Sequence, residues 1–255
     1  MSFPQLMDLA LWLALGAGLG VLGGFFGIGG GLIAIPLLSF LAGMSQQVAQ
    51  GTALILVLPT VLLAAWRYHQ KSRIDFARVA LIAVCAIGFT WVGAQAALGL
   101  DSTLLRRAFA AFLALTALQY VWQVRRRALP LAERTRVFTQ PAAALLGVAG
   151  GLLGGFFGVG AGILVAPVLT GVFGASQTVA QGVALATVVP TALVSLVSYG
   201  AAGAIDWTVG LPLAAGALLM VSPGVRLAHR LPERRLKLAF AALLAITSAG
   251  LWLIA

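Results

Sequence analysis

The sequence predicts an all-α polytopic membrane protein made of two repeats of about five hydrophobic segments each. Hydrophobic residues make up 61% of the 255-residue chain and charged residues only 9%, whereas soluble domains hold about a quarter charged residues. Apolar runs recur at lengths close to the roughly 20 residues that span a bilayer core. The stretch LGGFFGIGGGLIAIPLL, Leu22 to Leu38, returns as LGGFFGVGAGILVAPVL, Leu153 to Leu169, an offset of 131 residues (153 − 22). The proline pairs Pro36/Pro167 and Pro59/Pro190 keep that offset, so one half duplicates the other without a gap.

Turn and charge signals divide the first half into segments at about Leu6 to Phe26, Gly30 to Leu41, Gln47 to Trp66, Ala77 to Leu98 and Leu104 to Val124. The second falls short of the lower limit of about 17 residues for a span, which predicts a half-helix or a re-entrant piece. Five matching segments follow at the repeat offset. The expected organisation is a first transmembrane repeat over 1–124, a basic cytoplasmic linker over 125–140 with Pro130 inside it, and a second repeat over 141–255. The amino terminus carries Asp8 and no basic region before its apolar run, and its Gly16, Gly20 and Gly24 recur as Gly147, Gly151 and Gly155. It is therefore expected to be structure and not a cleaved signal.

A net charge of +10 raises the question of nucleic acid. Every basic residue, however, lies between or beside hydrophobic segments, which identifies them as topology determinants facing anionic lipid and speaks against a nucleic-acid partner. In the first repeat the loop between segments three and four carries Arg67, Lys71, Arg73 and Arg78, and the next carries Arg106 and Arg107. The corresponding loops of the second repeat carry none, and then Arg226, Arg230, Arg234, Arg235 and Lys237. Basic residues collect on the cytoplasmic side, so equivalent loops are expected on opposite faces and the repeats are expected to be inverted. Arg106 and Arg107 run against that pattern. Cys85 stands alone, and His69 and His229 lack the i, i+4 partner of a helical zinc site. No metal or other cofactor is expected.

The run Gly23 to Gly31 resists helix, because each interior glycine costs about 1 kcal/mol relative to alanine. A break facing lipid would strand peptide groups, so it must face protein or a wet cavity. Its N–H groups, with the N-terminus of segment two, form an anion-binding concavity without a charged side chain. The candidate substrate-binding residues are Gly27, Gly29, Gly30 and Gly31 with Gly158, Gly160 and Gly162, whose spacing fits no single helix face. Gln50 and Gln181, in the matched runs SQQVAQGTAL and SQTVAQGVAL, supply uncharged amides for substrate or for interhelical hydrogen bonds. The row Gly16, Gly20 and Gly24 suits close helix packing instead. Ser45 and Ser176 are expected to cap segment three, and Thr60 and Thr191 to satisfy backbone groups freed by the prolines before them. Asp75 and Asp206 are expected to cap segment four. No carboxylate lies deep in a hydrophobic segment, which disfavours a proton relay. The match of Gly18, Gly20 and Gly23 to a dinucleotide fingerprint lacks a preceding strand, and no Gly-Lys pair supports a P-loop.

The duplicated GGFFGIGGGLIAIPLL and AQGTAL runs resemble the sulfite exporter TauE/SafE family, also called the toluenesulfonate uptake permease group, over nearly the whole chain. The resemblance implies a multi-pass transporter of the bacterial cytoplasmic membrane for sulfite, an organosulfonate or a related small sulfur-containing anion. Substrate, direction, energy coupling and oligomeric state are not fixed by it, and a homo-oligomer is compatible with it. Ala161 replaces a family glycine in the second copy. Gly51, Thr52 and Ala53, then Gly182, Val183 and Ala184, stand where many members carry a serine. Alternating access is the expected mechanism, with a passive anion channel or a transport-inactive scaffold as alternatives. No Ser-His, paired-Asp or metal constellation suggests an enzyme.

Overall fold

The computed structural model describes residues 3–26, 29–71, 76–125, 139–175, 177–228 and 233–254. Among these residues all regular secondary structure is helical: α1 Phe3–Phe26, α2 Gly31–Leu41, α3 Gln46–Lys71, α4 Phe76–Leu98, α5 Ser102–Arg125, α6 Gln140–Phe156, α7 Gly162–Gly171, α8 Gln177–Ala201, α9 Trp207–Ala228 and α10 Glu233–Ile254. Six of these helices, α1, α3, α4, α5, α8 and α9, are long and apolar enough to cross a membrane. The protein is thus a polytopic membrane protein, as its composition predicts. At 1.5 Å per residue, α2 and α7, of 11 and 10 residues, reach only about half of a roughly 30 Å hydrocarbon core. They are the short segments expected after the glycine runs. The linker expected over 125–140 falls almost wholly outside the described residues.

Small residues decide which helices meet. A Cβ placed on Gly16, Gly20 or Gly24 of α1 would strike the backbone of Leu213, Ala217 or Val221 in α9. Equally, one on Gly147, Gly151 or Gly155 of α6 would strike Ile82, Ala86 or Thr90 in α4. Close backbone approach is what such four-residue glycine rows provide where no hydrophobic force drives helices together. Both contacts rise in register along the two chains, so α1 runs parallel to α9 and α6 parallel to α4.

The remaining long helices cross in the opposite sense. Tyr68 of α3 meets Gln181 of α8 while Gln50 meets Tyr199, which makes α3 and α8 antiparallel. In α5 and α10, Ala110 meets Ser248 and Tyr120 meets Phe240, again antiparallel. Thr52 reaches the N–H of Asp206 at 2.9 Å and Gly210 packs on Ile55, so α3 and α9 run the same way. Along α2, Gly29 lies by Val61 and Gly31 by Val57. The chain therefore descends α1, turns at the glycine run, and climbs back through α2 before α3 sets out in the direction of α1.

The surface is apolar, as lipid requires. Leu219, Ile246, Val84 and Leu145 stand fully outward, while the buried centre collects Thr60, Gln50, Thr191 and Ser195. Asp206 caps α9 as expected, its Oδ1 accepting from the N–H groups of Thr208 at 2.9 Å and Val209 at 3.2 Å. The hydroxyl of Ser45 accepts from Val48 N at 3.4 Å, a long capping bond at the start of α3. Ser176 and Asp75 lie outside the described residues.

Candidate functional site

Each glycine run ends one helix and starts a short one. Gly29 and Gly30 have φ of 70° and 82°, and Gly158 and Gly160 have 66° and 74°, a region L-residues with a Cβ rarely enter. Gly27 lies outside the described residues. Both breaks are fastened to the middle of the following long helix. The Thr60 hydroxyl donates to Gly29 O at 3.0 Å and can instead serve Leu56 O or Val57 O of its own helix. On the other side, Ala161 N donates to Thr191 Oγ1 at 3.1 Å. Thr60 and Thr191 thus satisfy backbone groups near the prolines, as expected of them.

The backbone donors of the second break are largely committed inside the protein. Phe157 N donates to Leu153 O, Gly158 N to Gly155 O, and both Val159 N and Gly160 N to Gly154 O. With Ala161 N held by Thr191, the helix-end donors are the first-turn N–H groups of α7, at Gly162 and Ile163. In the first break, Ile33 N and Ala34 N already return to Gly30 O, which leaves the corresponding first turn at Gly31 and Leu32. The positive-φ glycines set the turn, and the residues immediately after them present the N–H groups.

Gln50 and Gln181 are both buried and reach across the halves. Gln50 Oε1 accepts from the Tyr199 hydroxyl at 2.8 Å, and Gln181 Oε1 from the Tyr68 hydroxyl at 2.8 Å. Their amide groups differ. Gln181 Nε2 donates to Phe26 O, the last carbonyl of α1, at 3.3 Å, while Gln50 Nε2 is buried without a partner. Gln50 also packs against the second break, where a Cβ on Gly158 would come within 2.8 Å of its own Cβ. Tyr68 and Tyr199 escape the sequence reading. Their signal was the repeat offset itself, which relates two of only three tyrosines (199 − 68 = 131).

Between the two breaks lies a narrow cavity of about 30 Å³, bordered by Phe26 and Leu32 from the first break, Gly162 and Ile163 from the second, and Gln181 and Tyr120. Thr116 and Phe240 also line it, with the rest of the wall apolar, from Val159 and Ala166 and from the Ala184–Val188 stretch of α8. No charged side chain borders it. Its electrostatic character comes from the α7 N-terminus, where unsatisfied N–H groups carry roughly half a positive charge, and from amide and hydroxyl dipoles. Such a lining offers hydrogen-bond donors without a fixed charge. No group of His, Cys, Asp or Glu able to hold a metal occurs among the described residues.

Long apolar spans, a pair of half-length helices and an uncharged polar centre define a polytopic membrane protein of transporter type. The chain matches the sulfite exporter TauE/SafE family over residues 12–251 and belongs to that family. It is similar to a probable membrane transporter protein of Methanocaldococcus jannaschii, 26% identical with 96% of each chain covered. A similar likeness holds to the probable membrane transporter protein YunE of Bacillus subtilis, 26% identical over 83% of this chain and 85% of the relative. A third, from Xylella fastidiosa, is 28% identical over 84% and 81%.

Proposed function

We propose that this protein carries a small oxyanion, with sulfite or an organosulfonate as the leading candidates, across the membrane by alternating access between two inverted repeats. The observation that carries the reading is the pair of glycine breaks held at the midpoints of α3 and α8 by Thr60 and Thr191. Discontinuous helices meeting near the midplane, with helix N-termini towards an anion, are a recurrent transporter design. Inversion is supported by the antiparallel pairing of α3 with α8 and of α5 with α10, since each pair consists of equivalent helices from the two halves. On this reading α1 and α2 form a re-entrant pair and each half crosses the membrane three times. The end that holds Arg67, Arg125, Arg226, Arg234 and Arg235 faces the cytoplasm, in a bacterial inner membrane.

The first-turn N–H groups at Gly31 and Gly162 bind the anion's oxygens, with the remaining N–H of the Gln181 amide beside the cavity and the unpartnered Nε2 of Gln50 at the equivalent place by the second break. Gly29, Gly30, Gly158 and Gly160 hold the backbone that aims these groups. A neutral site releases its ion more readily than one built on a fixed cation. The test is uptake, efflux and counterflow of labelled sulfite and several sulfonates in proteoliposomes. Saturable flux with counterflow supports a carrier, linear flux without counterflow indicates a channel, and no flux of any tested anion overturns the proposal.

A further inference from the structure

Among the polar side chains that line the central cavity, Tyr120 of α5 has no hydrogen-bond partner among the described residues. Its neighbour one turn earlier, Thr116, donates its hydroxyl back to Phe112 O at 2.8 Å. Gln181 uses its Oε1 for the Tyr68 hydroxyl and one N–H for Phe26 O, which leaves the second N–H of its amide. Tyr120 is only 7% exposed. Its ring stands edge-on to Phe240 with centroids 5.1 Å apart, and Phe240 in turn packs on Phe26. The three rings form one wall, and the Tyr120 hydroxyl is its single polar side-chain atom. A buried hydroxyl without a partner is costly, and buried tyrosines usually find one. Packing alone does not demand the hydroxyl at this position, since the repeat equivalent is Leu251 (251 − 120 = 131).

The first turn of α7 brings further donors, at Gly162 and Ile163 on the same cavity wall. A hydroxyl of α5, an amide of α8 and the N-terminus of α7 thus border one space of about 30 Å³. At roughly 10–15 Å³ for each water-sized group, it takes about two or three such groups, so these donors serve one small ligand. Accepting oxygens are the complement of such a set. Charge sets a second limit. None of the described lining side chains is charged, and most are apolar. The helix terminus offers roughly half a positive charge, which offsets part of one negative charge. The Born cost of taking an ion out of water rises with the square of its charge, about fourfold for a dianion.

We propose that Tyr120 is a substrate-binding residue and that the cavity it lines selects compact, singly charged oxyanions over dianions. The Tyr120 hydroxyl, the remaining N–H of Gln181 and the first turn of α7 hold the oxygens, and the uncharged wall rejects a second charge. The inference rests on the oxyanion reading above and narrows it: a sulfonate enters as it is, and sulfite enters singly protonated. It also gives a reason for tyrosine in one half where the other has Leu251.

The experiment is calorimetric titration of the full chain, purified in detergent, with three probes of similar size: singly charged methanesulfonate, doubly charged sulfate and neutral methanesulfonamide. The wild type is expected to bind methanesulfonate at least about tenfold more tightly than either of the others. Tyr120→Phe keeps the ring on Phe240 and removes only the hydroxyl. It is expected to weaken methanesulfonate about tenfold while the melting temperature without ligand stays at the wild-type value. Sulfate or methanesulfonamide binding as tightly as methanesulfonate, or no binding of any probe, overturns the charge selection on the wild type alone. Unchanged methanesulfonate affinity in Tyr120→Phe, or a variant that no longer folds, overturns the role of the hydroxyl. Counterflow of labelled methanesulfonate in proteoliposomes separates this proposal from the transport reading. Selective, Tyr120-dependent binding without flux removes transport and keeps the site; flux indifferent to Tyr120 and to charge keeps transport and removes the site.

Discussion

The two glycine breaks differ by a few residues in sequence and have different surroundings. Phe157, at the end of α6 just before the second break, is clasped by two rings of α5, stacked on Phe112 at 4.5 Å and tilted on Phe109 at 5.5 Å. Its equivalent Phe26 meets Phe240 of α10 at 4.9 Å, but the position matching Phe112 is Leu243. Tyr120, which borders the cavity, is likewise matched by Leu251. The cavity lies beside Phe26 and Gln181, in the half of the molecule nearer the basic end, while beside Phe157 the equivalent position of α5 carries the Phe112 ring. Near-identical backbones become unlike sites through residues 45 or more positions away in sequence (157 − 112).

The Ala161 difference, expected from the sequence to distinguish the two copies, acts locally. Its N–H meets Thr191, and it precedes α7 with a φ of −64° where Gly30 takes 82°. The larger asymmetry comes from α5 and α10.

The comparison can be broken most severely at the breaks. Gly29→Val and Gly160→Val each place a branched side chain at positive φ against Val61 and Val188. Backbone strain of about 1–3 kcal/mol adds to overpacking of about 1–3 kcal/mol. Sulfite flux is expected to vanish in both, with a large fall in melting temperature. Normal flux in either removes that glycine run from the site.

Phe157→Ala should cost about 3–5 kcal/mol through loss of the three-ring stack and should open the packed side. Phe26→Ala should cost less, because its wall is already hollow. Melting temperatures of the two variants measure the contrast, and equal losses would erase it.

The tyrosines give a smaller, graded pair. Tyr199→Phe leaves Gln50 with neither end bonded and takes from Gly155 O the hydroxyl at 3.2 Å, leaving it the Gly158 N–H. An unsatisfied buried polar group costs about 1–3 kcal/mol. Tyr68→Phe leaves Gln181 its bond to Phe26 O and should cost less. A reversed order in thermal unfolding would contradict the assigned hydrogen bonds.

Accessibility should follow the cavity. With Cys85 replaced, a cysteine at position 181 is expected to react with a hydrophilic thiol reagent added at the basic end, and one at position 50 to react far more slowly from either side. The smallest effect is expected at Asp101, outside the spans. Its carboxyl is held below the ordinary range by the N–H groups of Leu104 and Thr103. A depressed pKa contributes stability above the unfolded value, lost only as pH falls through the folded one. Melting is therefore expected to be insensitive to this group between about pH 7 and pH 5.

Hydropathy, glycine spacing and the repeat offset determined much of this protein. The helical class, the half-length second segment and the packing role of Gly16, Gly20 and Gly24 all follow from composition and periodicity, which act within a few turns of chain. The positions of Gly29, Gly158, Gln50 and Gln181 were legible because duplication flags them twice. The partner of each could not be read, since every decisive contact joins residues far apart. Only the tertiary structure decided that Gln50 meets Tyr199, that most second-break N–H groups are spent internally, and that Phe112 stacks on Phe157 where the equivalent Phe26 meets Phe240 instead. Local propensity fixes where a helix breaks. What fills the space around the break depends on volume and hydrogen-bond demand summed over helices that meet only when the chain is packed.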